Sequence, residues 1–259
     1  MAFLVGYQGK KSRSDWMMKA LVVGGSSGIG LSLVLQLLHS DKVEKVYVVD
    51  KAAFPESHRE ERVDYVCCDL SRNDFSVLNR MNDIQALYIT AGFGHLDFFQ
   101  KLSEPYIDDS FAVNAVAPIK IIHRYYDRLL AQEDFACAVM VSIAGRISSP
   151  LFSVYSATKA ALSKFIEAVN VELEVQGSRN RILEVSPGSL KGTGFTGGES
   201  QPELTADLAK EIIEHATRHE ELYIPQYEEV FKDVIARYEA DAHKFGVESY
   251  WYKKNSGRA

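Results

Sequence analysis

Hydrophobic positions along the chain fall into short apolar runs separated by stretches with helical spacing. KALVVGG (19–25) is rich in valine and ends in glycine, and Ile29 to Leu38 follows with apolar residues nearly all round. The first pattern predicts a strand and the second a buried helix. KVYVVD (45–50), RVDYVCCDL (62–70), QALYITAG (85–92), FACAVMVSIAG (135–145) and NRILEVSPG (180–188) are further strand-like runs. Between them lie a polar, helix-compatible spacer at 72–82, a long helix over 104–131 bent near Pro118, and a helix over 153–176. A glycine-rich stretch, KGTGFTGGES (191–200), then precedes an amphipathic helix (203–219), a short strand ELYIP (221–225) and a final helix (226–243).

The runs are continuously apolar instead of alternating, as expected of strands covered by helices on both faces. Strand and helix alternate with short connections, which predicts an α/β fold built on a doubly wound parallel sheet of about seven strands. Residues 1–17 have no clear period and are read as an N-terminal extension, either native or a non-native remnant. Residues 18–259 are expected to form one domain, with a flap near 189–205.

Composition narrows the function. A chain of 259 residues, 46% hydrophobic, can bury a core that needs neither disulfides nor a metal. Cys67, Cys68 and Cys137 have neither zinc-ligand spacing nor the look of a disulfide framework, and are read as small buried hydrophobes. The net charge of −6 repels phosphate polymers and anionic lipid surfaces, so no nucleic-acid or membrane partner is expected. The opening MAFLVGYQGK reverses the order of a secretory signal, and Leu31 to Leu38 is far short of a membrane span. A soluble cytoplasmic protein is the expectation.

Parallel sheets of this kind bind ligands beyond the carboxyl ends of their strands. VVGGSSGIG places Gly24, Gly28 and Gly30 directly after a strand and at the opening of a helix. Glycines there permit a tight turn and close approach to a pyrophosphate, which the free N–H groups and dipole of the helix start attract. Asp50 ends the second strand, 20 residues beyond Gly30. A carboxylate there accepts hydrogen bonds from ribose hydroxyls and repels a 2′-phosphate, which favours NAD. Lys51 alongside is a cation that would tolerate that phosphate, so NADP stays as the alternative. Asp69 ends the third strand, either to bind the adenine amino group or to cap the turn near Ser71, and the two roles are compatible.

Proton-transfer chemistry points elsewhere. Tyr155 and Lys159 lie at i and i+4 in YSATK, on one helix face. Tyr7/Lys11, Tyr47/Lys51 and Tyr250/Lys254 share that spacing, but only Tyr155 has a serine, Ser142, 13 residues upstream at the end of a strand. An ammonium about 4 Å from a phenol would favour phenolate by up to roughly 4 kcal/mol and lower its pKa by as much as about three units, before desolvation. Tyr155 would then exchange a proton with a carbonyl or alcohol oxygen that Ser142 polarises.

With these residues in view, the chain resembles the short-chain dehydrogenase/reductase family, in its branch with subunits of about 250 residues. The resemblance runs from Lys19 to about Thr193. VVGGSSGIG matches the family's cofactor turn with Val23 in place of the usual threonine, and ITAG matches its Asn-Asn-Ala-Gly stretch at Ala91 and Gly92, with Ile89 and Thr90 replacing both asparagines. AVNAVAP supplies Asn114, and Ser142, Tyr155 and Lys159 match the remaining catalytic positions. The resemblance implies a Rossmann-type fold and an NAD(P)-dependent interconversion of a secondary alcohol and a ketone. It implies a cofactor held by Gly24, Ser26, Ser27, Gly28, Ile29, Gly30, Asp50, Asp69, Leu70, Ala91, Gly92, Tyr155, Lys159, Pro187, Gly188 and Thr193. Lys159 would also bind the nicotinamide ribose, and Asn114 would hold a water in a proton relay. Thr193 stands one position later than the family's threonine. No metal is implied. A homodimer or homotetramer through the helices at 104–131 and 153–176 is expected by analogy. The competing readings are an NAD(H)-binding redox sensor without turnover, and a nucleotide-sugar epimerase or dehydratase.

The substrate side is read from aromatic residues: Phe93, Phe98, Phe99, Phe152, Phe195 and Tyr223 as pocket or core, and His95 as a polar contact or surface histidine. The segment SYWYKK (249–254) is read as an interface, a pocket cover or local packing.

Overall fold

The computed structural model describes residues 17–196 and 199–255, so nearly all of the expected N-terminal extension lies outside the described residues. Seven strands form one sheet: β1 (Met18–Val23), β2 (Val43–Asp50), β3 (Val63–Cys67), β4 (Ala86–Ile89), β5 (Ala136–Met140), β6 (Ile182–Val185) and β7 (Leu222–Tyr223). Their order is β3-β2-β1-β4-β5-β6-β7, and every pairing is parallel. This is the doubly wound parallel sheet that the apolar runs predict, in the Rossmann-type arrangement that the resemblance implies. The helices are α1 (Gly28–Leu38), α2 (Glu104–Phe111), α3 (Ala117–Arg124), α4 (Tyr126–Leu130), α5 (Ser153–Val175), α6 (Ala206–Thr217), α7 (Lys232–Ala240) and α8 (Ala242–Asn255).

The period of two in β1 divides the core. Leu21 and Val23 join Ile121 and Ile122 of α3 and Leu162, Ile166 and Leu173 of α5 on one face. Ala20 and Val22 join Leu33, Val34 and Leu37 of α1 and Ala209, Ile212 and Ala216 of α6 on the other. Each fully buried aliphatic side chain contributes about 1.5–3 kcal/mol, so both faces stabilise the sheet. β1 pairs with β2 on one side and β4 on the other, so the strand order reverses there. A crevice opens beyond the carboxyl ends of β1 and β4 as a result.

Three elements differ from the sequence expectation. The spacer at 72–82 contains short 3-10 turns, Leu70–Arg72 and Ser76–Arg80, and no α-helix. Asp69 accepts the N–H of Ser71 and Asp74 that of Ser76, each at the start of a turn, and such local bonds compete with helix. The expected bend near Pro118 is a π turn, Ala112–Val116, in which the Ala117 N–H reaches back five residues to Ala112. Pro118 has no N–H for the carbonyl of Asn114 four residues before it, which favours this wider turn. The single helix expected over 226–243 is a π turn (Tyr227–Phe231) followed by α7 and α8. Asp241 is extended (φ −158°) and its carboxylate accepts the Lys244 N–H at 2.8 Å, starting a new helix in place of a tail. Cys68 and Cys137 are buried as expected, whereas Cys67 is exposed.

Candidate active site

The glycine turn joins β1 to α1. Gly24 (φ +89°) and Gly28 (φ +50°) adopt left-handed backbone that side chains disfavour. A Cβ on Gly30 would collide with the carbonyl oxygen of Gly24, so the turn closes only with glycine there. Thr90 clamps it from β4: its hydroxyl donates to the carbonyls of Val23 and Gly24, each at 3.1 Å. Sequence reading noted Thr90 only as a departure, yet it is the tie between β4 and the turn. Ala91 also reaches the turn, its N–H donating to Val23 O at 3.0 Å.

Asp50 is tethered at both oxygens, to Ser26 N–H and Ala52 N–H at 3.0 Å each. Ser26 is buried, and its hydroxyl finds no hydrogen-bond partner. An unsatisfied buried hydroxyl in a glycine cradle fits a site shaped for a polar ligand. Ser27 is exposed at the start of α1, and Ile29 is half-buried. Asp69 accepts from both the N–H and the hydroxyl of Ser71, which hold its carboxyl below the usual range, so the capping role is realised. Leu70 points its side chain into the core. Lys51 lies 5.9 Å over the Phe93 ring.

The glycine-rich flap folds back onto this turn. The Ser200 hydroxyl accepts the Gly28 N–H at 2.7 Å, and Thr193 packs beside Gly28. Ser32 of α1 anchors the flap's far end, bonding to Pro202 O at 2.8 Å and to the Thr205 hydroxyl at 2.6 Å. Residues 197 and 198 lie outside the described residues.

The proton-transfer residues converge at the next strands. Ser142 follows β5, and its hydroxyl accepts the Ala144 N–H at 3.1 Å and donates to Pro187 O at 3.4 Å. It lies within hydrogen-bonding reach of Tyr155, which sits in the first turn of α5 and is 7% exposed. Lys159, one turn on, is 2% exposed and donates to Met140 O at 2.8 Å. Asn114 spans the gap to β4: its side chain accepts the Phe93 N–H at 2.9 Å and donates to Phe93 O at 2.8 Å and to Thr158 at 3.2 Å. A Cβ on Gly92 would come within 3.1 Å of Asn114 Oδ1 and 3.3 Å of Lys159 Nζ, so Gly92 backs directly onto the pair.

Burial sets the electrostatics of the Tyr155–Lys159 pair. Lys159 Nζ stands 5.8 Å from the phenol ring centroid and turns to the Met140 carbonyl. Burial dominates both groups, pushing Tyr155 up to about 12 and Lys159 down to about 7, while the Ser142 bond pulls weakly the other way on Tyr155. A pH signature follows. The folded protein loses its Lys159 proton near pH 7, whereas the unfolded chain keeps it to about 10.5. From pH 7 to 9 the unfolded chain therefore binds more protons, and this lysine makes stability rise by up to about 1.4 kcal/mol per pH unit. Urea titrations of wild type and Lys159→Met at pH 7, 8 and 9 should show wild type gaining on the variant. A constant gap would contradict the burial argument.

A family model for short chain dehydrogenases matches residues 18–204. The chain belongs to the short-chain dehydrogenase/reductase family. It is similar to the uncharacterized oxidoreductase TDA5 of Saccharomyces cerevisiae, at 31% identity over 186 residues, 68% of this chain and 56% of the yeast protein. The chain thus spans little more than half the length of that relative. Among solved structures, a short-chain dehydrogenase from Streptomyces avermitilis superposes with a TM-score of 0.71 at 19% identity, covering 93% of this chain and 100% of that one. A Burkholderia cenocepacia short chain dehydrogenase in complex with NADP does so with a TM-score of 0.71 at 20% identity, covering 87% and 95%.

In this short-chain dehydrogenase/reductase the aromatic residues divide. Phe152 and Phe195 pack on Tyr155, with ring centroids at 4.7 and 5.1 Å. Phe93 packs on Tyr106, and Phe99 is exposed. Phe98 meets Lys101, and His95 is exposed beside Asp97. Tyr223 stacks instead on His215 of α6 and bonds to Glu211, away from Tyr155's ring contacts. Phe231 was missed: a Cβ on Gly188 would lie 2.5 Å from its ring, so it packs flush on the segment after β6. Nothing local in YEEVF signals that contact. The SYWYKK segment lies in α8, where Lys253 donates to Ser149 at 2.6 Å and Pro150 O at 2.9 Å. Among the described residues no helix is long and apolar enough to cross a membrane, and no cluster of metal-ligating side chains is found.

Proposed function

We propose that the chain is an NAD(P)-dependent oxidoreductase that interconverts a secondary alcohol and a ketone. The observation that carries this reading is the convergence of Tyr155, Ser142 and a buried Lys159 beside a glycine turn that only glycine can close. The orphaned Ser26 hydroxyl, the tethered Asp50 carboxylate and the Gly28 N–H, once the Ser200 hydroxyl gives it up, are the groups that would hold the dinucleotide. A nicotinamide bound there supplies or accepts a hydride; the chain's own residues handle orientation and the proton.

Ser142 would donate to the substrate oxygen while the Tyr155 hydroxyl gives that oxygen its proton. A phenol pushed up to about 12 by burial is protonated at neutral pH, which suits carbonyl reduction. Lys159 would orient ribose hydroxyls. The Asn114 carbonyl, denied a helical donor by Pro118, would accept from a relay water next to the lysine. An oligomer through α2–α3 and α5 belongs to the same reading, supported by the exposed apolar side chains of Phe111, Val116, Val171 and Val175.

NAD is the favoured cofactor, because Asp50 sets a fixed negative charge at the end of β2 where a 2′-phosphate would be repelled. NADP is the second reading, supported by Lys51. The test is loss of reduced-nicotinamide absorbance with sterol, sugar, acyl and small aliphatic ketones, using NADH and NADPH in parallel. Turnover with NADH ahead of NADPH is expected, and Asp50→Ser should narrow that preference by about tenfold, for the loss of roughly one charge–phosphate repulsion. Binding of NADH without consumption by any ketone would favour the sensor reading. An unchanged cofactor preference in Asp50→Ser would remove the assignment of Asp50.

A further inference from the structure

Within β6 the sequence Ile182-Leu183-Glu184-Val185 breaks the apolar run with a carboxylate. Alternation turns Leu183 and Val185 to the face covered by α1 and α6, and Ile182 to the face covered by α5. Glu184 shares the α5 side with Ile182 and is 2% exposed. A charge at such a place is costly unless paired and fully hydrogen-bonded, and an apolar residue of similar volume often serves stability as well or better. Its presence there calls for a geometric reason.

The partners of Glu184 supply one. Oε1 accepts from Arg146 Nε at 2.8 Å and from the Ser186 hydroxyl at 2.7 Å, and Oε2 accepts from the Ser163 hydroxyl at 2.7 Å. These donors come from three segments that each carry part of the proposed chemistry. Arg146 ends the turn that begins with Ser142. Ser163 lies one helical turn beyond Lys159 on α5. Ser186 precedes Pro187, whose carbonyl accepts the Ile143 N–H at 3.0 Å and the Ser142 hydroxyl at 3.4 Å.

We infer that Glu184 is a positioning residue that holds the Ser142 loop in register with the helix carrying Tyr155 and Lys159. The inference rests on the proposed oxidoreductase reading. The Ser142 hydroxyl donates to the Pro187 carbonyl, whose position follows the segment that Ser186 ties to Glu184. A misplacement of about 1 Å at a reacting group can cost on the order of 100-fold in rate. One buried carboxylate that gathers loop, helix and strand end therefore controls how well Ser142 and Tyr155 meet on one substrate oxygen.

The test combines variants with a cycle. Glu184→Gln keeps the shape and removes the charge, while Ser186→Ala removes a single hydroxyl and leaves the ion pair. Each is measured for kcat and KM, for NADH binding by nicotinamide fluorescence without substrate, and for thermal unfolding. Expected is a kcat loss of about 10- to 100-fold with NADH affinity within about twofold. The same changes made in Ser142→Ala should lower its residual kcat by less than about twofold, since coupled residues are not additive. A merely structural role would instead multiply the losses in the double variants. Multiplying losses, or full kcat in folded Glu184→Gln and Ser186→Ala, overturns the inference while wild-type turnover stands. If Glu184→Gln does not fold, Ser186→Ala decides. A wild type that reduces no ketone removes the oxidoreductase reading and this inference with it.

Discussion

Tyr155→Phe is expected to lower ketone turnover by about 10²–10⁴-fold, the usual contribution of a positioned acid–base group, while NADH still binds. The substitution removes one oxygen and nothing else. The ring remains between Phe152 and Phe195, at 4.7 and 5.1 Å, so packing and the start of α5 are preserved. What disappears is the proton that the phenol holds at neutral pH and its bond with Ser142. Because burial keeps the phenol near 12, the reductive rate in wild type should change little between pH 6 and 9 through this group. Steady-state rates with a matched ketone, together with fluorescence titration of NADH, check both halves. A variant that binds NADH and retains near-normal rates would eliminate Tyr155 as the proton donor.

Gly30→Ala should be the most damaging single methyl in the cofactor turn. Its Cβ would collide with the Gly24 carbonyl and lie 2.5 Å from the Thr90 hydroxyl, so the tie between β1, α1 and β4 must give. Overpacking of a rigid site costs about 1–3 kcal/mol. Here the obstructing atoms are backbone, so the upper end is expected, along with loss of NADH binding. Gly194→Ala is the matched control: a Cβ there meets nothing within 4 Å, and its stability should stay within about 0.5 kcal/mol of wild type. Urea unfolding and NADH titration on the two variants give the comparison. Equal behaviour would mean that the turn tolerates more than its geometry allows.

The parts of this chain legible from sequence are those built by local rules. Continuous apolar runs announced β1, β2, β4, β5 and β6, because a strand buried on both faces needs no polar side. The glycine turn was legible because left-handed backbone at Gly24 and Gly28 restricts residue choice. Tyr155 and Lys159 were legible from helical spacing together with Ser142, 13 residues upstream at the end of a strand, which sets them apart from three other pairs at that spacing. Local rules failed where short-range bonds compete with a pattern, as at Asp69 and Asp74, which cap 3-10 turns inside a helix-compatible spacer. They also failed at Asp241, which splits the C-terminal helix in two.

Tertiary structure decided what depends on surroundings. The burial of Tyr155 and Lys159 and the turn of Lys159 to the Met140 carbonyl are features that helical spacing does not encode. Thr90 on the glycine turn, Phe231 on Gly188, and Glu184 among Arg146, Ser163 and Ser186 are contacts between segments far apart in the chain. By itself the sequence determined which segments are strands and helices and which chemistry-bearing residues the chain contains, since periodicity and turn preference act over a few residues. The sheet order determined which of those residues meet and how much water each one keeps, since contact and desolvation exist only once the strands are side by side.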